Sequence, residues 1–303
     1  MRTRPAPHPT AKRRRTPREE PGTVNDQPAL IDEGDNAAGC HKTHLAIAAA
    51  RQARRLGSRC LTVGSCGNHG LALALAAQEH GLAAVICVPV RYASPQIDEI
   101  IRTGADVLRY GDTYEDAVAG SRRLAVEYGW ADCNPDGPFE TILLDAMTAR
   151  IAHRIRMLGA PPEVLWVPLG NGTTALAALL ALDHLGSGCR VAAVTSHGNN
   201  SVLSSWRSGR HTPLAPGGLR ETAVNEPLCN WNALHASRLL AYDDDRLGVL
   251  GVADDDLVAA ATSLRRVPCT PSGAAGYAGY LRAAPNRARH AVLLTAHRNR
   301  SPQ

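Results

Sequence analysis

Short apolar runs take turns with longer stretches of helical period from residue 60 onward, and few architectures accept that rhythm. "CLTVG" (60–64) precedes a helical pattern over 69–81, "AAVICV" (83–88) one over 93–103, and "DVLRY" (106–110) one over 113–127. The alternation resumes with "EVLWVPL" (163–169) before 173–185, "RVAAVTS" (190–196) before 199–208, and "LGVLGV" (247–252) before 254–265. Runs this short, mostly apolar and separated by helices, read as strands of parallel sheets. The chain is therefore expected to be α/β. Gly64 and Gly170 fall just after two of the strands, and each opens a polar turn that runs into a helix. Those turns lie at carboxyl ends of strands, where open α/β sheets bind their ligands. Residues 208–224 read as a long loop near that edge.

Charge narrows the choice of partners. The chain of 303 residues carries a net charge of +5, and residues 1–20, with seven basic and two acidic side chains, account for all of it. That arm has no apolar periodicity, so it reads as a disordered solubilising segment rather than a nucleic-acid site, and the body that follows is neutral. The uncharged run Val164–Leu182 is interrupted by "PLGNGTT", which a membrane-spanning helix would not carry, and the polar, Pro-rich N-terminus does not resemble a secretory signal. Eight cysteines lie scattered without CxxC spacing, which speaks against a zinc site and for a reducing, cytoplasmic setting; no metal is expected.

Among 33 basic residues only two are lysines, Lys12 in the arm and Lys42 in "GDNAAGCHKTHLA". A sequence that elsewhere prefers arginine keeps lysine where it needs an amine that can lose its proton. The turn "GSCGNHG" (64–70) leads into a helix start, whose free N–H groups and positive dipole end suit a carboxylate or phosphate. "PLGNGTT" (168–174) repeats that geometry with two hydroxyls. It lacks the Gly-Lys-Ser/Thr ending of a nucleotide P-loop, which disfavours a nucleoside triphosphatase. "AVLLTAHRN" ends an apolar strand on the hydroxyl of Thr295.

In this order, "DNAAGCHK", "SCGNHG", "PLGNGTT" and "LLTAHRN", preceded by "TPRE" at Thr16–Glu19, resemble the motifs of the fold-type II pyridoxal-phosphate enzymes. That group includes tryptophan synthase β, cysteine synthase, threonine synthase and threonine dehydratase. The resemblance implies two domains of parallel or mixed sheet flanked by helices. Residues 37–145 would form a small domain, 16–36 with 146–303 a large one, and 1–15 the arm. It implies pyridoxal 5′-phosphate as cofactor, a small-molecule amino-acid substrate and a homodimer.

Carried over residue by residue, Lys42 would form the Schiff base with the cofactor and act as base. Asn68 would bond the cofactor's 3′ oxygen. Gly170, Asn171, Gly172, Thr173 and Thr174 would hold the phosphate, and Thr295 would face the ring nitrogen. Ser65, Cys66, Gly67 and His69 would hold the substrate carboxylate. "AAG" before the lysine, Cys66 in place of a hydroxyl, and "TAHR" at the end depart from the family pattern. A hydroxyl at the ring nitrogen implies elimination or replacement rather than transamination.

A threonine synthase-like lyase acting on an O-activated amino acid is the leading expectation, with His44, His69, Arg207 and Arg210 as candidates for a substrate phosphate. A cysteine synthase-type β-replacement enzyme, a serine/threonine dehydratase and a non-catalytic cofactor-binding relative are the alternatives. His41, His297 and Glu226 read either as packing or solvated residues or as helpers of the site.

Overall fold

The computed structural model describes residues 27–65, 67–284 and 288–297. The basic arm, the Thr16–Glu19 motif and Cys66 lie outside them. Strand β1 (Ala29–Asp32) leads through the lysine loop to α1 (Thr43–Arg55). Then follow β2 (Cys60–Gly64), α2 (Asn68–Glu79), β3 (Ala83–Val88), α3 (Pro95–Arg102), β4 (Asp106–Arg109), α4 (Tyr114–Tyr128) and β5 (Ala131–Asp132). Helix α5 (Glu140–Arg156) leads to β6 (Val164–Pro168), α6 (Thr173–His184), β7 (Arg190–Ser196), α7 (Ser201–Ser208) and α8 (Ala236–Leu239). The described chain closes with β8 (Leu247–Val252), α9 (Asp254–Ser263), α10 (Ala275–Ala283) and β9 (His290–Leu294).

Every strand pairing in the two sheets is parallel. One sheet runs β4-β3-β2-β5 and the other β1-β9-β6-β7-β8. The class expected from the alternation is the class observed. All five residues of β2 and of β6 are buried, as strands sandwiched between helices require.

Local sequence explains the helices that cover these sheets. In α1 the buried residues are Leu45, Ala46, Ala49, Ala50 and Ala53, a stripe at helical spacing whose small side chains let it lie close against α2 and α5. Helix α4 opens on a capping box, with Thr113 accepting from Asp116 N–H and Asp116 answering Thr113 N–H. Its backbone crosses the end of β2 so closely that a Cβ on Gly64 would collide with the main chain of Val118. Glycine there is a requirement of packing. One continuous buried cluster joins the sheets through α1, α2, α5 and α6, with Leu61 and Ile86 at one end and Leu165 and Leu179 at the other. A second cluster, including Val194, Leu257 and Ala278, fills the far face of the larger sheet.

Candidate active site

The site gathers at the carboxyl ends of β2, β6 and β9, where parallel strands leave their turns. Asn36 builds the lysine loop. Its carbonyl oxygen accepts from Ala38 N–H, Cys40 N–H and the Thr43 hydroxyl, while its amide donates to the carbonyls of Glu33 and Cys40. The loop so shaped sets Lys42 at the N-cap of α1. The Lys42 amine is half-buried and has no hydrogen-bond or ion-pair partner among the described residues.

The two residues before Lys42 reach the other three motifs. The Cys40 thiol donates to the Asn68 carbonyl over 3.5 Å, and Cys40 pairs with Ala296 in an antiparallel bridge. The His41 ring meets the Thr295 carbonyl through Nδ1 at 3.0 Å and the Thr174 hydroxyl through Nε2 at 3.1 Å. Cys40 and His41 thus touch the Asn-bearing turn, the strand-end threonine and the start of α6.

At that start the backbone is arranged for an anion. Gly172 caps α6 with φ +92°, no side chain caps the helix, and the main-chain N–H groups of residues 170–174 find no acceptor among the described residues. A Cβ at Gly170 would meet the Pro227 carbonyl oxygen at 2.6 Å, and one at Gly172 would meet His235 and Leu239 at 3.0 Å. The glycines therefore admit the 225–239 segment behind the loop. A side chain at 172 would collide with that backing segment rather than stand in the way of a phosphate.

The side chain of Asn171 is likewise turned to the backing segment, with its oxygen accepting from Asn230 Nδ2 at 2.6 Å and from Leu234 N–H. Its main-chain N–H remains for an anion. The Thr173 hydroxyl has no partner among the described residues.

Sequence reasoning missed the clamp that holds this loop. Asn200, 2% exposed, donates to the carbonyls of Leu169, Gly170 and Leu228 and accepts from Val202 N–H at the cap of α7. Replacing Asn200 with leucine is expected to destabilise the fold by about 2 kcal/mol through orphaned carbonyls and to loosen the loop. Chemical unfolding and cofactor titration of the variant read both effects, and unchanged values in both would refute the clamp.

On the other side, the Ser65 oxygen accepts from the Gly67 and Gly70 N–H groups, which fixes the hydroxyl and leaves its proton free. The Asn68 side chain is half-buried and unpartnered among the described residues. His69 is spent differently from the expectation. Its Nε2 bonds the Cys133 carbonyl at 3.2 Å, and burial with the nearby Lys42 charge pushes its pKa down to about 4. The neutral ring has no second proton, so toward an anion it can offer only its main-chain N–H.

Thr295, 5% exposed, directly follows the last residue of β9. His297 packs its ring over Gly34 and bonds Asp32 at 2.8 Å, holding β1 to the tail of β9. His44 is drawn to the buried carboxylate of Glu33 at 3.4 Å. Glu226 opens the short turn Glu226–Leu228 that packs against Gly170, and there burial and then Glu221 raise its carboxyl while Lys42 opposes them. Arg207 and Arg210 lie exposed at and beyond the end of α7.

Residues 25–296 match the model of the pyridoxal-phosphate dependent enzyme family. The L-threo-3-hydroxyaspartate ammonia-lyase of Saccharomyces cerevisiae is 28% identical over 222 residues, covering 72% of this chain and 65% of its own length. A biosynthetic L-threonine dehydratase of Burkholderia multivorans is 27% identical over 73% of this chain and 44% of its own. The chain thus spans less than two thirds of these curated relatives. Among solved structures, a T.th. threonine deaminase superposes with a TM-score of 0.74 at 22% identity, covering 90% of this chain and 89% of that one. Maize serine racemase gives 0.75 at 20% identity, over 89% and 85%. These likenesses show the fold-type II architecture.

The chain belongs to the pyridoxal-phosphate-dependent enzyme family, and its cofactor is pyridoxal 5′-phosphate. The residues present fit that group: among the described residues, the Lys42 amine and the polar groups of Asn68 and Thr173 have no partner, and the start of α6 is uncapped with free amides.

Proposed function

We propose that the chain is an ammonia-lyase of the dehydratase type, acting on a β-hydroxy amino acid. The observation that carries this reading is a hydroxyl, Thr295, at the end of the strand tied by His41 to the Lys42 loop. In this reading Lys42 anchors the cofactor, Asn68 faces its 3′ oxygen, Thr295 its ring nitrogen, and the Gly170–Thr174 loop its phosphate. Bound there, pyridoxal phosphate supplies an aldehyde that captures the substrate amine and a ring that withdraws electrons from Cα. The Lys42 amine takes the Cα proton. The Ser65 hydroxyl and the Gly67–His69 amides at the start of α2 orient the carboxylate. Thr295 cannot hold a proton on a ring nitrogen as a carboxylate would, so electron density at Cα is better released by expelling a group from Cβ. Water leaves Cβ and water re-enters at Cα, so the products are a 2-oxo acid and ammonia.

The curated relatives, a 3-hydroxyaspartate ammonia-lyase and threonine dehydratases, support the same class. The threonine synthase-like reading needs cations for a substrate phosphate. Its candidates are engaged elsewhere or exposed: His44 with Glu33, His69 with Cys133, Arg207 and Arg210 on the surface.

Serine, threonine, 3-hydroxyaspartate, O-acetylserine and O-phosphohomoserine should be compared for release of ammonia, oxo acid, acetate and phosphate. Ammonia with oxo acid from a hydroxy amino acid is expected. Phosphate with threonine formed from O-phosphohomoserine would overturn the proposal in favour of a synthase. Thr295→Asp is expected to cost at least tenfold in elimination while raising transamination, and an unchanged product ratio would remove the role given to Thr295.

A further inference from the structure

His41 is bound at both ring nitrogens, and its partners fix where every proton lies. The Thr295 carbonyl can only accept, so Nδ1 carries the hydrogen. Burial, and after it the Lys42 charge, hold the ring neutral, with a pKa near 3. Nε2 is then a bare acceptor, and the Thr174 hydroxyl must donate to it. One of the two hydroxyls at the start of α6 thus has its only proton turned away from the anion cradle.

A phosphate brings only acceptor oxygens and close to two negative charges. Seated on the amides of residues 170–174, it competes with Nε2 for the Thr174 proton. If Thr174 yields it, Nε2 is left without a partner unless the ring gains a proton of its own. We propose that His41 takes up one proton from solvent when a phosphate occupies the cradle, so that Nε2–H donates to Thr174 Oγ1 and Thr174 donates to the phosphate. The balance is simple: one proton leaves a buffer acid, Nε2 gains it, and the Oγ1–Nε2 hydrogen bond survives with its direction reversed. This rests on the assignment of the Gly170–Thr174 loop to the cofactor phosphate.

The charges around the ring make the switch depend on the anion. Lys42 and His69 oppose a proton on His41, whereas the Thr295 carbonyl and Glu33, across the lysine loop at the end of β1, favour it. The buried Cys40 thiol beside it is held neutral, its pKa raised by burial. Without a phosphate the opposing side prevails. With one, the added negative field falls on the Nε2 side of the ring, and Nδ1–H stays with Thr295.

The test counts protons. The full chain, freed of cofactor, is titrated with 4′-deoxypyridoxine 5′-phosphate, which lacks the aldehyde and cannot condense with Lys42. Calorimetry at pH 7.5 in buffers of different ionisation enthalpy gives the proton stoichiometry of binding. The wild type is expected to take up close to one proton more than His41→Gln, whose amide supplies a fixed N–H. Its affinity should tighten by up to about tenfold per pH unit on acidification beyond that of the variant. Thr174→Val should abolish the excess uptake as well. In the ¹⁵N-histidine-labelled holoenzyme, His41 should show imidazolium nitrogen shifts at pH 6.5. Equal proton counts in wild type and His41→Gln, or neutral-ring shifts in the holoenzyme, would overturn the proposal. Failure of the probe to bind at all would instead strike the assignment of the loop to the phosphate.

Discussion

A Lys42→Ala protein is expected to retain its fold and lose all cofactor that borohydride can fix covalently. Lys42 is the only lysine outside residues 1–20, where Lys12 is the other, so no second amine in the body can substitute. Wild-type protein should be yellow and keep a reduced, irreversibly attached cofactor at Lys42 after borohydride, located by peptide mass. Turnover in the variant should fall by about 10³-fold or more, since the proposed assignment makes Lys42 both the anchor and the base at Cα. The fold should survive because the Lys42 side chain makes no hydrogen bond among the described residues, while the loop around it is built by Asn36. Covalent fixation persisting in Lys42→Ala would sink the assignment of this residue.

The second large effect is expected away from the chemistry. Glu33 is 3% exposed and meets Arg150 Nε at 2.9 Å, Arg154 Nε at 3.1 Å and His44 at 3.4 Å, bolting the end of β1 to α5 and α1. Burial works to raise its pKa, but the hydrogen bonds of His44 and Arg150 and the charges of both arginines win and hold it below the usual carboxylate value. A depressed carboxyl pKa stabilises the fold above the unfolded-state value and loses that contribution as pH falls through the folded one. Glu33→Gln is therefore expected to cost about 3 kcal/mol at pH 7. That is the low end for a broken buried pair, because both guanidiniums keep some contact with water. The gap between wild type and variant should narrow on acidification below about pH 4.5, the ordinary carboxylate range. Urea midpoints measured at pH 7 and pH 3.5 test this, and a constant gap would assign the effect to packing instead.

The strands legible in the sequence were those with uninterrupted apolar runs: "CLTVG", "AAVICV", "RVAAVTS" and "LGVLGV" coincide with β2, β3, β7 and β8. Strand β1 is four residues and β5 two, too short to show a period, and both exist because a neighbour supplies their partners. The motif residues could be listed from local pattern, but not their use. Asn171 and His69 carry side chains of the expected kind, yet both point at protein carbonyls, amides or amide side chains across long sequence separations. The Asn200 clamp and the Glu33 cluster were invisible for the same reason. Arg150 and Glu33 lie 117 residues apart, and no local signal marks them as partners.

The order β1-β9-β6 has a consequence for how the chain becomes a protein. The last described strand lies between the first strand and one from the middle, and it carries Thr295 to the lysine loop. A chain emerging from the ribosome can form the smaller sheet early, since β2 to β5 are consecutive in sequence. The larger sheet keeps an open slot until β9 arrives, and until then β1 has no neighbour and His41 has no Thr295 carbonyl to hold. Closing that slot spans most of the chain, a long-range pairing of the kind that slows folding and leaves strand edges exposed meanwhile. Lys42 is thus synthesised early but acquires its surroundings last, so nascent chains should pass through a stage that contains Lys42 and lacks its finished pocket.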